Sequence, residues 1–557
     1  MGAYITYKTK IINRNLLPIK GLFGLVKCKY IICRIFSNMN LIRKCNILAY
    51  NYQLLKITDT TPKQSRTIPI TKIELNINNN FNHKFINMKY NESLYYIYFD
   101  NSVEVHHIDT YKYGEVLKKI TIYINYKVRS LAKLFQNCVC IDNLSFERMQ
   151  NPDYEDFNSM FHGCINLKSI KFNSINTINV KNMSAMFFEC NNLKNIDLSL
   201  FDTNNVLYMN YMFAECKALQ ILDLSNISMK NLIEANHMFY KCSALKNITF
   251  SNITTKRLQY MAHMFHGCEQ LININLSSFK LNKVRYINHL CQNCFKLENI
   301  IFSNYGSPNL ISMKHMFYNC NEIKEIDFTY FITDNVTDMT EIFYNCTSLV
   351  KLNLNNFRIN NVTNMAAMFA CCSNLRELNI DNFQANNTKD TSYMFYKCSS
   401  LIKLDLNNFD ATNVEKMDYM FAECNIIKKL DLSSFHTNNL ISAKAMFKNC
   451  RLLNNIEIYN FNTRAIKDMS YMFYGCSNLK YLNISNFRTN QLENIMYMFG
   501  SCGSLIQIDM RGFVIKEDVM IDNVFDACIN LHEIIVNDIE TNRILNEKLI
   551  SGTLWFR

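Results

Sequence analysis

The chain of 557 residues is long enough for several ordinary domains or for one long array, and its 12 glycines and 5 prolines are few for that length. The abundance of Asn, Ile, Lys, Tyr and Phe is typical of an AT-rich genome. The net charge of +12 is concentrated, because residues 1–58 hold ten Lys or Arg and no acid, which leaves +2 for the rest. This distribution argues against a broad phosphate-binding groove, so we expect no nucleic-acid partner.

Residues 1–58 are predicted to form a basic N-terminal leader. The opening letters MGAYIT match the loose pattern for N-myristoylation at Gly2. A second signal, from the basic segment or from palmitoylated cysteines, would then be needed for peripheral membrane contact through the N-terminus. The alternatives are a leader without lipid and a true start at Met39 instead of Met1.

Membrane-spanning and secretion signals are not recognised in the sequence. Lys20, Lys27, Lys29 and Arg34 interrupt the best apolar run, which therefore falls short of the ~18–20 uncharged residues that a spanning helix requires. The same charges argue against a signal peptide. We expect a cytoplasmic location, with membrane association as an option and the cell surface as the alternative.

Residues 59–129 follow no period and contain several short β-like runs with turns, such as SLYYIYF. We expect a β-rich N-terminal cap that covers the apolar end of the array. At the other end, residues 541–557 are predicted to form a C-terminal cap with a short helix and Trp555.

The cysteines define the organisation of the chain between these ends. Sixteen of the 22 recur at intervals of 26 residues, at 138, 164, 190, 216, 242, 268, 294, 320, 346, 372, 398, 424, 450, 476, 502 and 528. A fixed period of this length is the mark of a solenoid, in which each repeat stacks on the next. The sequence predicts about fifteen such units across residues 130–540.

Each unit combines two hydrophobic patterns, with positions counted from its column cysteine as 0. Leu at +3, Ile or Leu at +6 and an apolar residue at +8 give the L-x-x-L-x-L pattern of a short strand. Val or Leu at +16, Met at +19, Met at +22 and Phe at +23 share one face of a helix, which Thr at +13 could cap. The predicted fold is an α/β repeat with a parallel sheet on one face and short helical turns on the other.

The column cysteine itself lies where the predicted turn returns to the strand. A small apolar thiol fits that corner, and side chains stacked in one column have poor geometry for the ~90° disulfide torsion. Disulfides or metal binding are the alternatives. Free buried thiols fit a reducing compartment.

Units such as LDLNNFDATNVEKMDYMFAECNII resemble the BspA-like leucine-rich repeats, specifically the 26-residue type first catalogued as a Mycoplasma domain of unknown function. The resemblance covers roughly residues 130–540. It implies a right-handed leucine-rich-repeat solenoid and, for the bacterial members, surface proteins that bind host or matrix proteins. We expect a non-enzymatic, monomeric chain that binds a protein. One alternative is a BspA-like surface adhesin exported without a recognisable signal peptide. The other is a self-assembling structural component.

Candidate partner-binding residues lie at the outward strand position +7. Asp and Asn dominate this column and would form an acidic and amide stripe suited to a basic or peptide partner, although stacked polar side chains can equally serve a solvated surface. The predicted residues are Asp197, Asp223, Asp327, Asn353, Asn379, Asp405, Asp431, Glu457, Asn483 and Asp509.

Two irregularities interrupt the array. Histidine occupies +21 in four successive units, at 237, 263, 289 and 315, and His289, Cys291 and Cys294 have zinc-like spacing. The alternatives are a half-exposed polar column and a purely structural Cys294. The next unit contains Gly306 and Pro308, which suggests a bend or a partner-specific contact.

No phosphate loop, nucleophile elbow or zinc-protease motif occurs, so we expect no enzymatic activity and no cofactor.

Overall fold

The computed structural model describes residues 71–548, apart from short gaps at 81–83, 89–91, 101, 103, 112–115, 126, 251–252 and 381–382, together with the backbone of 555–556. The predicted leader of residues 1–58, with Gly2 and Met39, lies outside the described residues. None of the described helices is long and apolar enough to cross a membrane.

The described chain begins with an antiparallel unit. Strands β1 (Thr71–Ile77), β2 (Tyr95–Phe99) and β3 (Lys119–Ile124) join β4 (Ile141–Arg148) and β5 (Ser169–Phe172) in the order β2-β3-β1-β4-β5. β1 pairs antiparallel with β3 and β4, whereas β4 and β5 pair in parallel. The antiparallel unit is thus continuous with the first coils of the solenoid; its role as a cap stays a prediction.

From β4 onward the chain coils with a period of 26 residues, and in many coils the strand pairs in parallel with the strand of the next coil, as β4 does with β5 and residues 221–223 do with residues 247–249. These pairs form the strand ladder, made of positions +5 to +7. Its three-residue strands are β6 (Ile221–Asp223), β7 (Asn247–Thr249), β8 (Asn273–Asn275), β9 (Asn299–Ile301), β10 (Glu377–Asn379), β11 (Lys403–Asp405), β12 (Lys429–Asp431), β13 (Asn455–Glu457), β14 (Tyr481–Asn483), β15 (Gln507–Asp509) and β16 (Glu533–Ile535). The described chain ends in helix α1 (Ile539–Lys548) and β17 (Trp555–Phe556), which pairs in parallel with β16.

The predicted helical turn is not confirmed. Within the described residues the only α-helix is α1, and positions +18 to +25 of each coil form a chain of tight turns instead. Two residues of this turn segment have a left-handed backbone, at +21 and +25, for example Tyr211 (φ 57°) and Glu215 (φ 58°). The left-handed backbone costs about 1–2 kcal/mol for each L-residue that adopts it. Because residues +21 and +25 both adopt it, a right-handed helix cannot continue through this segment.

Hydrogen bonds between coils explain why this backbone is stable. Four alternate N–H groups of residues 183–189 donate to carbonyls of residues 208–214 in the next coil, at 2.7–2.9 Å. The N–H groups between them, in residues 186–190, donate three residues back at 3.1–3.3 Å. The N–H of Ser184 donates to Asn182 Oδ1 at 2.9 Å, so each N–H of residues 183–190 has a partner, which buried backbone requires. We call this repeated arrangement the turn ladder.

The apolar columns of the repeat fill the space between the two ladders. Met183, Met186, Phe187 and Cys190 are all 0% exposed, and their equivalents belong to one continuous core that runs from Ile73 to Leu545. The +23 phenylalanines stack on one another along the array, for example Phe187 on Phe213 at 5.5 Å between ring centroids. Met at +19 and +22 and Phe at +23 are buried by a turn rather than by a helical face.

The column cysteines satisfy backbone carbonyls of the turn ladder. Each thiol from Cys164 to Cys528 donates to the backbone carbonyl of the residue 29 positions earlier, at 2.9–3.2 Å; that residue is Phe in every case except Cys320, whose acceptor is the carbonyl of Cys291. Desolvation by burial raises the pKa of Cys242, Cys424 and Cys476 to about 12. All described cysteines are free thiols.

Thr at +13 links coils and does not cap a helix. The hydroxyl of Thr333, 1% exposed, accepts a hydrogen bond from the N–H of Arg358 (2.7 Å) and donates one to its carbonyl (2.9 Å). Asn at +15 acts similarly in eight coils, because its amide donates to the carbonyl of +14 in the preceding coil. The abundant Asn residues therefore have a structural use.

Candidate functional site

The strand ladder presents an exposed row of side chains. In β6, β8 and β12 the middle residue is buried and both neighbours are exposed, as the alternation of a strand requires. Positions +5 and +7 of successive coils therefore face solvent side by side. This surface carries the predicted stripe.

The predicted +7 residues serve the turn that follows each strand. In eight of the ten, Oδ1 accepts a hydrogen bond from the backbone N–H two residues later at 2.8–3.2 Å, namely in Asp197, Asp223, Asp327, Asn353, Asp405, Asp431, Asn483 and Asp509. Hydrogen bonds from Ser199 lower the pKa of Asp197, and hydrogen bonds from Thr329 lower that of Asp327. The structure places Asn379 and Glu457 at the same register of β10 and β13. The stripe thus has a structural role, which leaves its part in binding a prediction.

Exposed apolar side chains on the same surface were missed by the sequence reasoning. Ile221 is 60% exposed, Ile301 55%, Tyr330 52%, Tyr459 60% and Tyr481 63%. All five lie at +5, +7, +9 or +10, within or just after the strand. The sequence could have revealed them, because an apolar residue replaces the usual polar residue at these positions. Ile301, for example, stands where most coils have Asp or Asn.

Two of these side chains, Ile301 and Tyr330, line a hollow in the middle of the array. A depression of about 440 Å³ lies beside β9 and is lined by Ile301, Phe302, Asp327, Tyr330, Phe331 and neighbouring atoms. We call it the mid-array hollow. Tyr305 is 44% exposed near it, with the ammonium of Lys280 4.6 Å from its ring centroid. A second depression of about 520 Å³, near Asp197 and Leu200, also contains Lys171 and is more polar.

The Gly306 and Pro308 irregularity belongs to the coil that borders this hollow. In other coils a +12 side chain accepts a hydrogen bond from the +14 N–H, as Asp202 does from Asn204. Gly306 has no such side chain and Pro308 has no N–H, so the two changes fit together. A Cβ on Gly306 would come within 2.8 Å of Ile332 Cδ1. The small residue therefore makes room for Ile332, which is 37% exposed.

The histidine column forms a stack of rings on the turn ladder. The centroid distance is 4.4 Å from Tyr211 to His237, 4.3 Å from His237 to His263 and 4.2 Å from His263 to His289, with rings within 11° of parallel. His315 continues the stack at 71° to His289. Desolvation, and then neighbouring histidines, lower the pKa of His237 to about 4 and that of His263 to about 3.

The structure places the predicted metal ligands in two environments. Cys291 and Cys294 are 0% exposed in the core, where Cys291 replaces the stacking phenylalanine. The ring of His289 is half-buried, with Nδ1 2.6 Å from Gln292 Oε1. Within the described residues, the group of three potential metal ligands that the fold brings together is His263, His266 and His289.

This geometry defines a class of protein: a leucine-rich-repeat-like solenoid with an exposed parallel strand ladder and no helix among the described residues of its coils. The family described as "Mycoplasma protein of unknown function, DUF285" matches residues 129–249, 216–326, 311–430 and 419–537. The chain belongs to this family, which confirms the resemblance drawn from the 26-residue repeat.

Among curated proteins none matches the chain. Among solved structures, it is similar to a leucine-rich repeat protein from Bacteroides ovatus, with 17% identity, 78% of this chain and 88% of that chain covered, and a TM-score of 0.37. It is also similar to a Leptospira interrogans leucine-rich-repeat protein, with 12% identity, 66% and 96% covered, and a TM-score of 0.22. Neither likeness carries an argument about function.

Proposed function

We propose that the chain is a non-enzymatic scaffold that binds a protein partner on the strand ladder, with the mid-array hollow as the principal contact. The observation that carries the proposal is the pairing of Ile301 and Tyr330, both more than half exposed beside the hollow. Exposed aromatic and aliphatic side chains at the centre of a polar surface are typical of the residues that contribute most to protein interfaces.

The chemistry of the hollow favours a particular kind of partner. Apolar side chains such as Ile301 line it together with polar ones, and Asp327 at its edge keeps its charge because hydrogen bonds from Thr329 lower its pKa. An extended protein segment with an apolar side chain next to Lys or Arg would complement both features. Lys324 and Lys351 on the same surface make its charge mixed, which favours protein over nucleic acid.

A reducing compartment is part of the same proposal. Every column thiol from Cys164 to Cys528 donates to a buried carbonyl, so oxidation would remove a hydrogen bond from the turn ladder. Proteins that keep many thiols free are typical of reducing compartments. This supports a cytoplasmic scaffold over a surface adhesin.

The test is affinity capture with quantitative mass spectrometry, using the full chain and a double variant, Ile301→Asn with Tyr330→Ala. Asn is the residue at +7 of the preceding coil, Asn275 in β8, so the strand should be preserved. The matched control is Tyr459→Ala with Tyr481→Ala, which removes equally exposed rings from the same ladder. We expect the first variant to lose a captured partner at least about 30-fold, the effect of a hot spot of 2 kcal/mol. Equal capture by wild type and the Ile301/Tyr330 variant would contradict the proposal.

A further inference from the structure

Three histidines from two successive coils meet on the turn ladder. His263 and His266 occupy +21 and +24 of one coil and His289 occupies +21 of the next, with one ring nitrogen of each within 4.8 Å of the others. The two Nδ1 atoms of His263 and His266 are 3.4 Å apart. Two nitrogens bound at about 2.0–2.1 Å to a tetrahedral zinc are about 3.3–3.4 Å apart. The Nδ1 atoms of His263 and His266 already have this spacing, and a movement of roughly 1 Å brings a ring nitrogen of His289 to the same distance.

A neighbouring side chain prepares His289 for this role. Gln292 Oε1, an acceptor, lies 2.6 Å from its Nδ1, so Nδ1 carries the proton and Nε2 has the free lone pair. Metal-bound histidines usually have their second nitrogen held in this way, which fixes the ring and its tautomer.

Ring stacking alone does not account for the cluster. At +21 most other coils carry Tyr or Ala, as in Tyr393 and Ala367, so a stacked ring explains His263 and His289. His266 lies outside that column, at a position held by Tyr240 in the preceding coil and Gln292 in the next. The stacked rings would have to turn out of parallel to share one ion, and the tilt of 71° between His289 and His315 shows that this column admits such an orientation.

We propose that His263, His266 and His289 form a site for Zn²⁺ or a similar divalent transition metal, which joins two successive coils while solvent completes the coordination. Three imidazole nitrogens suit zinc, copper or nickel better than magnesium or calcium. The site is separate from the strand ladder and does not depend on the scaffold function.

The test is a calorimetric titration of the full chain with Zn²⁺, repeated with Co²⁺ as an optical probe. We expect one tight zinc site in each chain. His266→Ala and His289→Tyr should each weaken zinc binding about 100-fold or more. Loss of an outer-shell partner typically costs about 10–100-fold, and loss of a ligand should cost more. The tyrosine in His289→Tyr keeps a ring in the stack. Gln292→Ala should weaken it about 10-fold.

The matched control is His162→Ala, which removes a half-buried histidine from position +24 of another coil. It should bind zinc as the wild type does. Zinc should also raise the melting temperature of the wild type and of this control, but not of His266→Ala or His289→Tyr. Unchanged zinc affinity in both of those variants would overturn the proposal. Strong thiolate-to-cobalt charge transfer would also overturn it, because the ligands would then be cysteines such as Cys291 and Cys294.

Discussion

The turn ladder and the strand ladder differ in continuity. At +18 of the turn segment, parallel bridges run without a break from Ser130 to Met520. In the strand ladder the three-residue strands form separate groups, such as β6 with β7 and β10 with β11, and the coil with Asn353 has only single bridges. The repeated letters Met, Phe and Cys belong to the turn ladder and its core, whereas the exposed strand positions vary from coil to coil.

This difference separates stability from recognition. The Met, Phe and Cys side chains of the turn segment are buried and hydrogen bonds join each coil to the next, so a change at one of them affects three coils. Side chains at +5 and +7 contact mainly solvent and their own turn. We therefore expect the turn ladder to tolerate little change and the strand ladder to tolerate much.

The largest expected effect is from Phe343→Ala. Phe343 is 0% exposed and stacks between Phe317 at 6.0 Å and Phe369 at 5.6 Å. Loss of such a ring should lower the free energy of unfolding by about 3–5 kcal/mol, measured by urea denaturation followed by circular dichroism. The control from the strand ladder, Tyr330→Ala, should stay within about 0.5 kcal/mol of wild type. Equal losses in the two variants would remove the distinction between the ladders.

A smaller effect is expected from Thr333→Val. The substitution keeps the shape of the side chain but leaves the N–H and carbonyl of Arg358 without the hydroxyl that pairs with both. Unpaired buried backbone groups should cost about 1–3 kcal/mol in the same denaturation assay. Thr333→Ser keeps both hydrogen bonds and should lose only about 1 kcal/mol for the missing methyl group. If serine is as destabilising as valine, the link between coils is not the reason for threonine at this position.

Acid should weaken the turn ladder through the histidine column. Desolvation lowers the pKa of His237 and of His315 from 6.5 to about 4, so the unfolded chain binds more protons than the folded chain between those values. The free energy of unfolding should therefore fall as pH decreases from about 6.5 to 4, and this contribution is fully present above 6.5.

The measurement for this prediction is the melting temperature across pH 4–8 with a metal chelator present. The variant His237→Tyr with His315→Tyr keeps rings in the stack and cannot titrate there. It should lose less stability in acid than the wild type. Identical pH profiles would show that these two histidines do not carry the effect.

Much of the fold could be predicted from the sequence. The 26-residue period and the inward strand positions could be predicted because both depend on buried apolar residues. Leu222 and Leu224, at the two inward strand positions of one coil, are indeed buried. The predicted helical turn is not confirmed, because apolar residues spaced three and four apart fit a chain of turns as well as a helix. The signal that distinguishes the two was present: position +25 often carries Asn or Gly, as in Asn293 and Gly267, and these residues tolerate a left-handed backbone.

The candidate site was less accessible to sequence reasoning. The outward direction of +7 follows from strand alternation, but the spacing does not show that Asp327 accepts a hydrogen bond from the N–H of Thr329 in its own turn. The mid-array hollow requires Ile301 and Tyr330 to meet from two coils. The cluster of His263, His266 and His289 likewise joins positions +21 and +24 of different coils, a proximity that only the turn geometry provides.

The most direct test of the two-ladder account is hydrogen–deuterium exchange of the full chain, read in the coils around Cys346. There the N–H groups of Met339, Glu341, Phe343 and Asn345 donate to the next coil at 2.7–3.0 Å, while the strand ladder has only single bridges. We predict that peptides covering residues 338–346 exchange more slowly than peptides covering residues 350–357. Faster exchange in the turn peptides would contradict the account, because the stability of the solenoid would then lie in its strands.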